Sequence, residues 1–272
     1  MRRTAPRQAS GLDDRVAQAL DGAGLRECAA AHVFDLRRRV SGSWHADADI
    51  YPASVVKVPI MCEAHRRFAC GELEPGDEVT VDAANETTTW GGTTFSAGST
   101  ATLGEMVERM ITHSDNVATN QLMDVLRRER VTAYMHLLGL KTFLLGRKLS
   151  GSDPLIEDPE MTGRNRLPPD EIGLLLRHIA DDAIPGAAIA RDLLQRCVDA
   201  DKFVPGLRPG DVLMHKTGET SEYDHDAGIL KTVDGGRYVV VLYTKRAGGD
   251  DIGGHAMDTR IAAWMRAMRA VL

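Results

Sequence analysis

The chain has no long apolar run, no paired cysteine motif and no excess of positive charge. No stretch approaches the roughly 18 apolar residues of a membrane span, and Asp13 and Asp14 interrupt the place where the core of an export signal would lie. The net charge of −6 provides no basic field for nucleic acid or an anionic membrane. We therefore expect a cytoplasmic protein that acts on small molecules or peptides, or a periplasmic or secreted one if a leader preceded this sequence.

Cysteine is scarce, and its spacing matches neither a CxxC redox motif nor a zinc site. The four cysteines are Cys28, Cys62, Cys70 and Cys197. Cys62 and Cys70 fall on one face of a predicted helix, where buried free thiols are favoured over disulfides. Neither a metal nor a cofactor is expected from this composition.

Length and composition indicate a globular chain with a sizeable core. With 272 residues, 43% hydrophobic and 26% charged, it is long enough to bury roughly 70–75% of the surface that its unfolded chain exposes. One large domain and two interleaved domains both fit this length. No internal repeat or low-complexity linker divides the chain.

Hydrophobic periodicity predicts strands near both ends of the chain and helices between them. Thr102 and Glu105 form a predicted capping box, and a Val-Asp-Gly-Gly turn predicts a hairpin near the C-terminus. The last helix carries one apolar stripe, which we interpret as core packing. Helices are predicted at 12–23, 117–126, 170–179 and 187–198, and strands at 30–36, 40–45, 212–215, 227–232 and 238–244.

This order predicts one sheet built from the two ends of the chain, with a helical insertion. We expect an α/β domain made of residues 1–52 and 205–272, and a mainly helical domain over 53–204. A groove forms where such an insertion meets the sheet, and grooves of this kind are common ligand sites. The Thr-, Gly- and Ser-rich segment 87–100 is a candidate lining of that groove.

The segment YPASVVKVPIM places Ser54 three residues before Lys57. In a helix, positions i and i+3 share a face, so the hydroxyl and the amine come within reach of each other. A serine needs an adjacent base to become a good nucleophile, and a lysine serves only if burial or neighbouring cations lower its pKa. The pair alone is weak, because two polar residues on a solvated helix face explain it equally well. Pro59 predicts an irregular first turn of this helix.

Two further stretches, HSDN at 113–116 and HKTGE at 215–219, turn the pair into a pattern. The elements SxxK, SDN and KTG, in this order, resemble the penicillin-recognising serine enzymes, and above all the class A β-lactamases. The resemblance covers nearly the whole chain. It implies a β-lactamase/transpeptidase-like fold, in which an antiparallel sheet flanked by helices carries an inserted all-helical domain.

The resemblance also implies a role for each matching residue. Ser54 would be the nucleophile and Lys57 its proton partner, while Ser114 would relay a proton to the leaving nitrogen. The oxyanion hole would be the backbone N–H groups of Ser54 and Glu219, and Lys216 would lower the pKa of Lys57 and attract an anionic substrate. The implied catalytic residues are Ser54, Lys57, Ser114 and Lys216, and the substrate-binding ones are Asn116, Thr217, Gly218, Glu219 and Trp90.

Three other features were weighed. His225 and Asp226 suggest a triad with Ser54, but adjacent strand residues point to opposite faces; one of the two still has room to face the groove beside Lys216. For Trp90, a pocket wall and a core position fit equally. A metal site at His45, Asp47 and Asp49 is the alternative to a solvated loop, which we favour.

The chain departs from the family at the glutamate that activates the hydrolytic water. Aligning Arg147 with the arginine that opens the family's loop puts Leu149 at the glutamate's place. A positioned general base contributes about 10² to 10⁴ to a step, so acylation can proceed while deacylation stalls. Nearby carboxylates that leave room for another base are Asp153, Glu157, Asp158 and Glu160.

Three functions follow as alternatives. The first is a serine hydrolase that forms an acyl-Ser54 intermediate on an amide, lactam or ester, with β-lactam ring hydrolysis as its leading reaction. The second is a penicillin-binding or sensory protein that stays acylated. The third is a biosynthetic acyltransferase or esterase. In each, the partner is a small acyl substrate, expected to be anionic, and the protein is expected to be a monomer without nucleic-acid or membrane partners.

Overall fold

The computed structural model describes residues 11–89, 92–151, 155–246 and 255–272. Five of the strands it describes form one antiparallel sheet in the order β2-β1-β7-β6-β5. The chain therefore builds its sheet from both ends, as the sequence predicts. These strands are β1 Ala29–Asp35, β2 Val40–Trp44, β5 Val212–Glu219, β6 Tyr223–Lys231 and β7 Arg237–Lys245.

The centre of the sheet is buried on both faces. Every residue of β1 is buried, and Val33 lies opposite Val240 of β7, because β-branched side chains pack well on a pleated surface. The predicted hairpin joins β6 to β7, where the N–H of Thr232 donates to the carbonyl of Gly236. Strand β5 lies at one edge of the sheet, which leaves one of its sides open to the helical part of the chain.

One face of the sheet is covered by helices from the two ends of the chain, α1 (Gly11–Gly22) and α8 (His255–Val271). The apolar stripe predicted in the last helix lies in this core as expected. Its buried members are Met257, Ile261, Trp264, Met265 and Met268.

The other face and the groove carry the remaining helices. Helix α6 packs against β1 and β7, although it belongs to the stretch 53–204 that the sequence assigns to the helical domain. The proposed division into two domains stays a prediction. The helices are α2 Lys57–Ala69, α3 Leu103–Thr112, α4 Asn116–Leu126, α5 Arg128–Leu137, α6 Pro169–Ala180 and α7 Ala187–Gln195.

Local signals account for several helix boundaries. The Thr102 hydroxyl accepts from the N–H of Glu105 at 3.2 Å while the Glu105 carboxylate accepts from the N–H of Thr102 at 2.8 Å, which confirms the predicted capping box of α3. A small ribbon of β3 (Glu78–Thr80) and β4 (Thr100–Thr102) was not predicted as such. Within the described ranges, no helix is long and apolar enough to span a membrane.

The cysteines are free, as predicted, but only one of them is buried. Cys62 lies inside α2, whereas Cys70 caps the exposed end of the same helix. The expectation of buried thiols therefore holds for Cys62 and is wrong for Cys70, because the helix ends before the second position can turn inward.

Candidate active site

Ser54 lies in a short 3-10 turn, Ala53–Val56, that leads directly into α2. Ala53, just before it, has a φ of +46°, a conformation that is uncommon for residues other than glycine. Pro59 is the third residue of α2, where its missing N–H would have no intrahelical partner in any case. The irregular first turn expected from Pro59 is thus present as the 3-10 turn that holds Ser54.

Lys57 is the centre of the site, and no part of it is exposed. Its Nζ lies 3.0 Å from the Oγ of Ser54 and 2.9 Å from the Oγ of Ser114. It also lies 2.8 Å from the Oδ1 of Asn116 and 2.6 Å from the carbonyl of Ser114. An ammonium group has three donors for these four acceptors, whereas a neutral amine also accepts. The geometry therefore suits an amine to which a serine hydroxyl donates its proton.

The surroundings of Lys57 favour that neutral amine. Burial is the main cause that lowers its pKa well below the ordinary value, and the positive charge of Lys216 lowers it further. Asp115 acts in the opposite direction but does not offset the other two. This is the combination of burial and a second cation that the sequence predicts for a lysine base.

Ser114 and Asp115 occupy the tight turn between α3 and α4. Ser114 has a φ of +59°, and the turn is held by the fully buried Asp115, which is the N-cap of α4. The Asp115 carboxylate accepts from the N–H of Ala118 at 3.0 Å and from the N–H of Thr94 at 2.6 Å. The turn residue that caps the helix thus also fixes the direction of the Ser114 hydroxyl.

Asn116 is held at both ends of its amide. Its Oδ1 accepts from Lys57, and its Nδ2 donates to the carbonyl of Thr88 at 2.9 Å. Its backbone N–H donates to the hydroxyl of Thr89. The loop before residue 90 is therefore attached to the site, while Trp90 itself lies outside the described residues and its predicted role stays a prediction.

The KTG segment lies in β5 and packs directly against the turn that holds Ser54. A Cβ added to Gly218 would lie 3.0 Å from the carbonyl oxygen of Pro52 and 3.2 Å from the backbone nitrogen of Ser54. Only glycine allows this approach of strand and turn. Lys216 is buried, with its Nζ 3.0 Å from the carbonyl of Thr217. The structure thus brings the three motifs together at one point.

His225 and Asp226 serve other purposes. The Nε2–H of His225 donates to the carbonyl of Tyr51 at 2.7 Å, and its Nδ1 accepts from the N–H of Thr244 at 3.1 Å. Burial lowers the pKa of His225 to about 4, which keeps the ring neutral. Asp226 bonds His215 at 2.8 Å on the opposite face of the sheet. The expectation that one of the two faces the groove is wrong, since both are engaged elsewhere.

Leu149, at the place of the family's glutamate, is fixed by α4. Its N–H donates to the Oδ1 of Asn120 at 2.8 Å, and its carbonyl accepts from the Nδ2 of Asn120 at 2.9 Å. Sequence reasoning missed Asn120, although its position four residues after Asn116 puts both on one face of α4. The side chain of Leu149 is buried, with 6% exposed.

The described carboxylates of this loop are engaged away from Ser54 and Lys57. Asp158 makes a bidentate pair with Arg128 at 2.7 and 2.9 Å and accepts from the N–H of Lys148. Burial alone would raise the pKa of Asp158, but these contacts outweigh it and lower the pKa. Glu157 and Glu160 are exposed, and Asp153 lies outside the described residues.

Metal binding finds no support in the described part of the chain, where no group of three or more histidine, cysteine or acidic side chains is arranged to hold an ion. Asp49, one of the three alternative ligands, instead lies 3.4 Å from the guanidinium of Arg166. The site consists of side chains and backbone groups alone.

Comparison with known proteins agrees with this geometry. PBP-A has a similar structure, with a TM-score of 0.81 and 24% identity over 96% of each chain. A β-lactamase from Sphaerobacter thermophilus is similar over 98% of this chain and 99% of its own, with a TM-score of 0.79 and 23% identity. A leucine-to-glutamate variant of PBP-A, solved as an acyl-enzyme complex with penicillin G, has a TM-score of 0.77 and 24% identity over 96% of each chain.

These structures show a shared fold: a mixed α/β structure whose antiparallel sheet is flanked by helices. No curated protein sequence matches the chain. The model of the family described as "Beta-lactamase enzyme family" matches residues 15–266, which is most of the chain. The chain therefore belongs to the beta-lactamase enzyme family, whose members are hydrolases of the serine β-lactamase type.

Proposed function

We propose that this protein is an acyl-transferring serine enzyme that forms an ester on Ser54 from a lactam, amide or ester donor. The observation that carries the proposal is the buried Lys57, which touches both serine hydroxyls and has a lowered pKa. A serine with no such base is a poor nucleophile. Hydrolysis of a β-lactam ring is the leading reaction.

In the acylation step, Lys57 takes the proton of Ser54 as the Oγ attacks the carbonyl carbon of the donor. The carbonyl oxygen becomes negative and is stabilised by the backbone N–H groups of Ser54 and Glu219, a donor pair whose members are typically worth about 10² to 10³ in rate each. Ser114, which shares Lys57 with Ser54, passes a proton to the leaving nitrogen. The C–N bond breaks, and the acyl group remains on Ser54.

Deacylation sets the choice between hydrolysis and transfer. Leu149 cannot take a proton from water, and Asp158 is neutralised by Arg128. A missing base costs about 10² to 10⁴ in rate, so the acyl-enzyme of this protein should be long-lived. This favours a second candidate function, in which an amine or alcohol replaces water as the acceptor. A protein that simply stays acylated is the limiting case.

Intact-mass spectrometry tests the proposal. The protein is mixed with benzylpenicillin or with nitrocefin, and the mass is followed over time beside a Ser54→Ala variant. An adduct on the wild type that decays with product release supports hydrolysis, and a persistent adduct that decays faster with added amines supports transfer. An adduct on Ser54→Ala, or none on the wild type with any lactam or ester, would overturn the assignment of Ser54 as nucleophile.

A further inference from the structure

The strand that would hold the substrate lies beside a cluster of this chain's own carboxylates. Asp199 approaches Lys202 at 3.8 Å, and the hydroxyl of Thr217 forms a hydrogen bond with its carboxylate. Burial alone would raise the pKa of Asp199, but Lys202, Thr217 and Lys216 lower it below the ordinary value. Asp199 is therefore a carboxylate at neutral pH, and it occupies the hydroxyl that the sequence assigns to substrate binding.

Glu219 adds a second carboxylate at the end of the same strand. It lies 3.0 Å from the Nζ of Lys202 and 3.7 Å from the guanidinium of Arg246. About a third of its side chain is exposed, so it faces the groove as well as the cluster. The residue whose backbone N–H is assigned to the oxyanion hole thus carries a negative charge beside the substrate.

The two cations of this cluster are already paired. Lys202 is buried, with 1% of its side chain exposed, and it also contacts Asp258 at 3.2 Å. Arg246 makes a two-point pair with Asp224 at 2.5 and 3.0 Å. Burial alone would lower the pKa of Lys202, but its acidic neighbours outweigh it and raise the pKa. A cation held in this way has little attraction left for an incoming anion.

The sequence predicts an anionic substrate because Lys216 lies in the groove. From the arrangement of Asp199 and Glu219 around Thr217 we propose, building on the proposed function above, a different substrate class. The acyl donor carries no carboxylate where it meets Thr217, and Asp199 is the residue that sets this preference. A carboxylate at that point would have to displace Asp199 from Thr217 and then lie beside two like charges.

A matched pair of acyl donors tests the preference: benzylpenicillin, which is anionic, and benzylpenicillin methyl ester, which differs only in lacking that charge. The second-order rate constant for forming the Ser54 adduct is measured by intact mass for each donor. The wild type should react with the ester at least as fast as with the acid. Asp199→Asn, which keeps an acceptor oxygen for Thr217 and removes the charge, should shift the ratio about tenfold toward the acid.

Glu222→Gln is the control, since Glu222 is an exposed acid in the same hairpin whose side chain makes none of the contacts above. It should leave the ratio unchanged. Asp199→Ala serves as a second variant, and thermal unfolding establishes that each protein is folded. If adducts form but the ratio is the same in wild type and both Asp199 variants, this inference is wrong while the proposed function stands. If neither donor modifies the wild type, the proposed function fails and the inference with it.

Discussion

Replacing Leu149 by glutamate should restore a deacylating base to the site. The backbone of residue 149 is held on both sides by the amide of Asn120, at 2.8 and 2.9 Å, so the substitution changes the side chain without releasing the loop. A positioned carboxylate at this place is expected to raise the rate of acyl-enzyme decay by about 10² to 10⁴. Acylation, which depends on Lys57, should change little.

The same substitution has a cost in stability that the structure sets. The Leu149 side chain is 6% exposed, so losing its burial removes about 1.5 to 3 kcal/mol. A carboxylate in the same place adds a desolvation cost of the same order, unless it finds a hydrogen-bond donor. We expect Leu149→Glu to unfold at a lower urea concentration than the wild type, while remaining folded at 25 °C.

Leu149→Gln is the matched control, because it has nearly the same shape and polarity as glutamate but cannot accept a proton from water. Each protein is acylated with benzylpenicillin, excess donor is removed, and the decay of the mass adduct is followed. Decay in Leu149→Glu that is no faster than in Leu149→Gln would refute the reasoning that the missing carboxylate limits deacylation.

Three further predictions concern groups around Ser54. Gly218→Ala should lower acylation at least tenfold, because its Cβ would lie 3.0 Å from the carbonyl of Pro52; Gly76→Ala, with nothing within 4 Å, should acylate normally in the same rate assay. Lys57→Met should slow adduct formation by about 10² to 10⁴. Since the pKa of Lys57 is lowered on folding, the folded state binds fewer protons than the unfolded one, and wild-type stability should rise with pH between that lowered pKa and about 10.4, a rise that urea titrations of Lys57→Met should lack. For His225, whose pKa falls to about 4 through burial, the same sign holds between about pH 4 and 6.5. About 3 kcal/mol of stability should be lost on acidification across that window, and His225→Phe should lose less; an equal loss in both proteins would contradict this assignment.

Much of the site was readable from the sequence because its parts are local. A serine and a lysine three residues apart meet on any helical turn, an aspartate after a serine caps a helix, and a glycine after a lysine and a threonine leaves room for close packing. Each of these rules acts within a few residues. The capping box of α3 and the hairpin between β6 and β7 were predicted for the same reason.

What the sequence could not supply are contacts between residues far apart in the chain. Nothing local shows that Asn120 holds Leu149 by both backbone groups, that His225 holds the carbonyl of Tyr51, or that only one of two helical cysteines is buried. These follow from how α4, the sheet and the loops pack together, and a periodic pattern carries no record of such packing.

The sequence by itself determined the family, the order of the sheet's strands from both chain ends, and the residue types that can carry acyl transfer. Only the tertiary structure decided their electrostatic setting. It buried Lys57 beside Lys216, which lowers the pKa of the base, and it placed Asp199 and Glu219 beside Thr217. The physical reason is that charges act through space with a strength set by distance and burial, and both are fixed only when the whole chain folds.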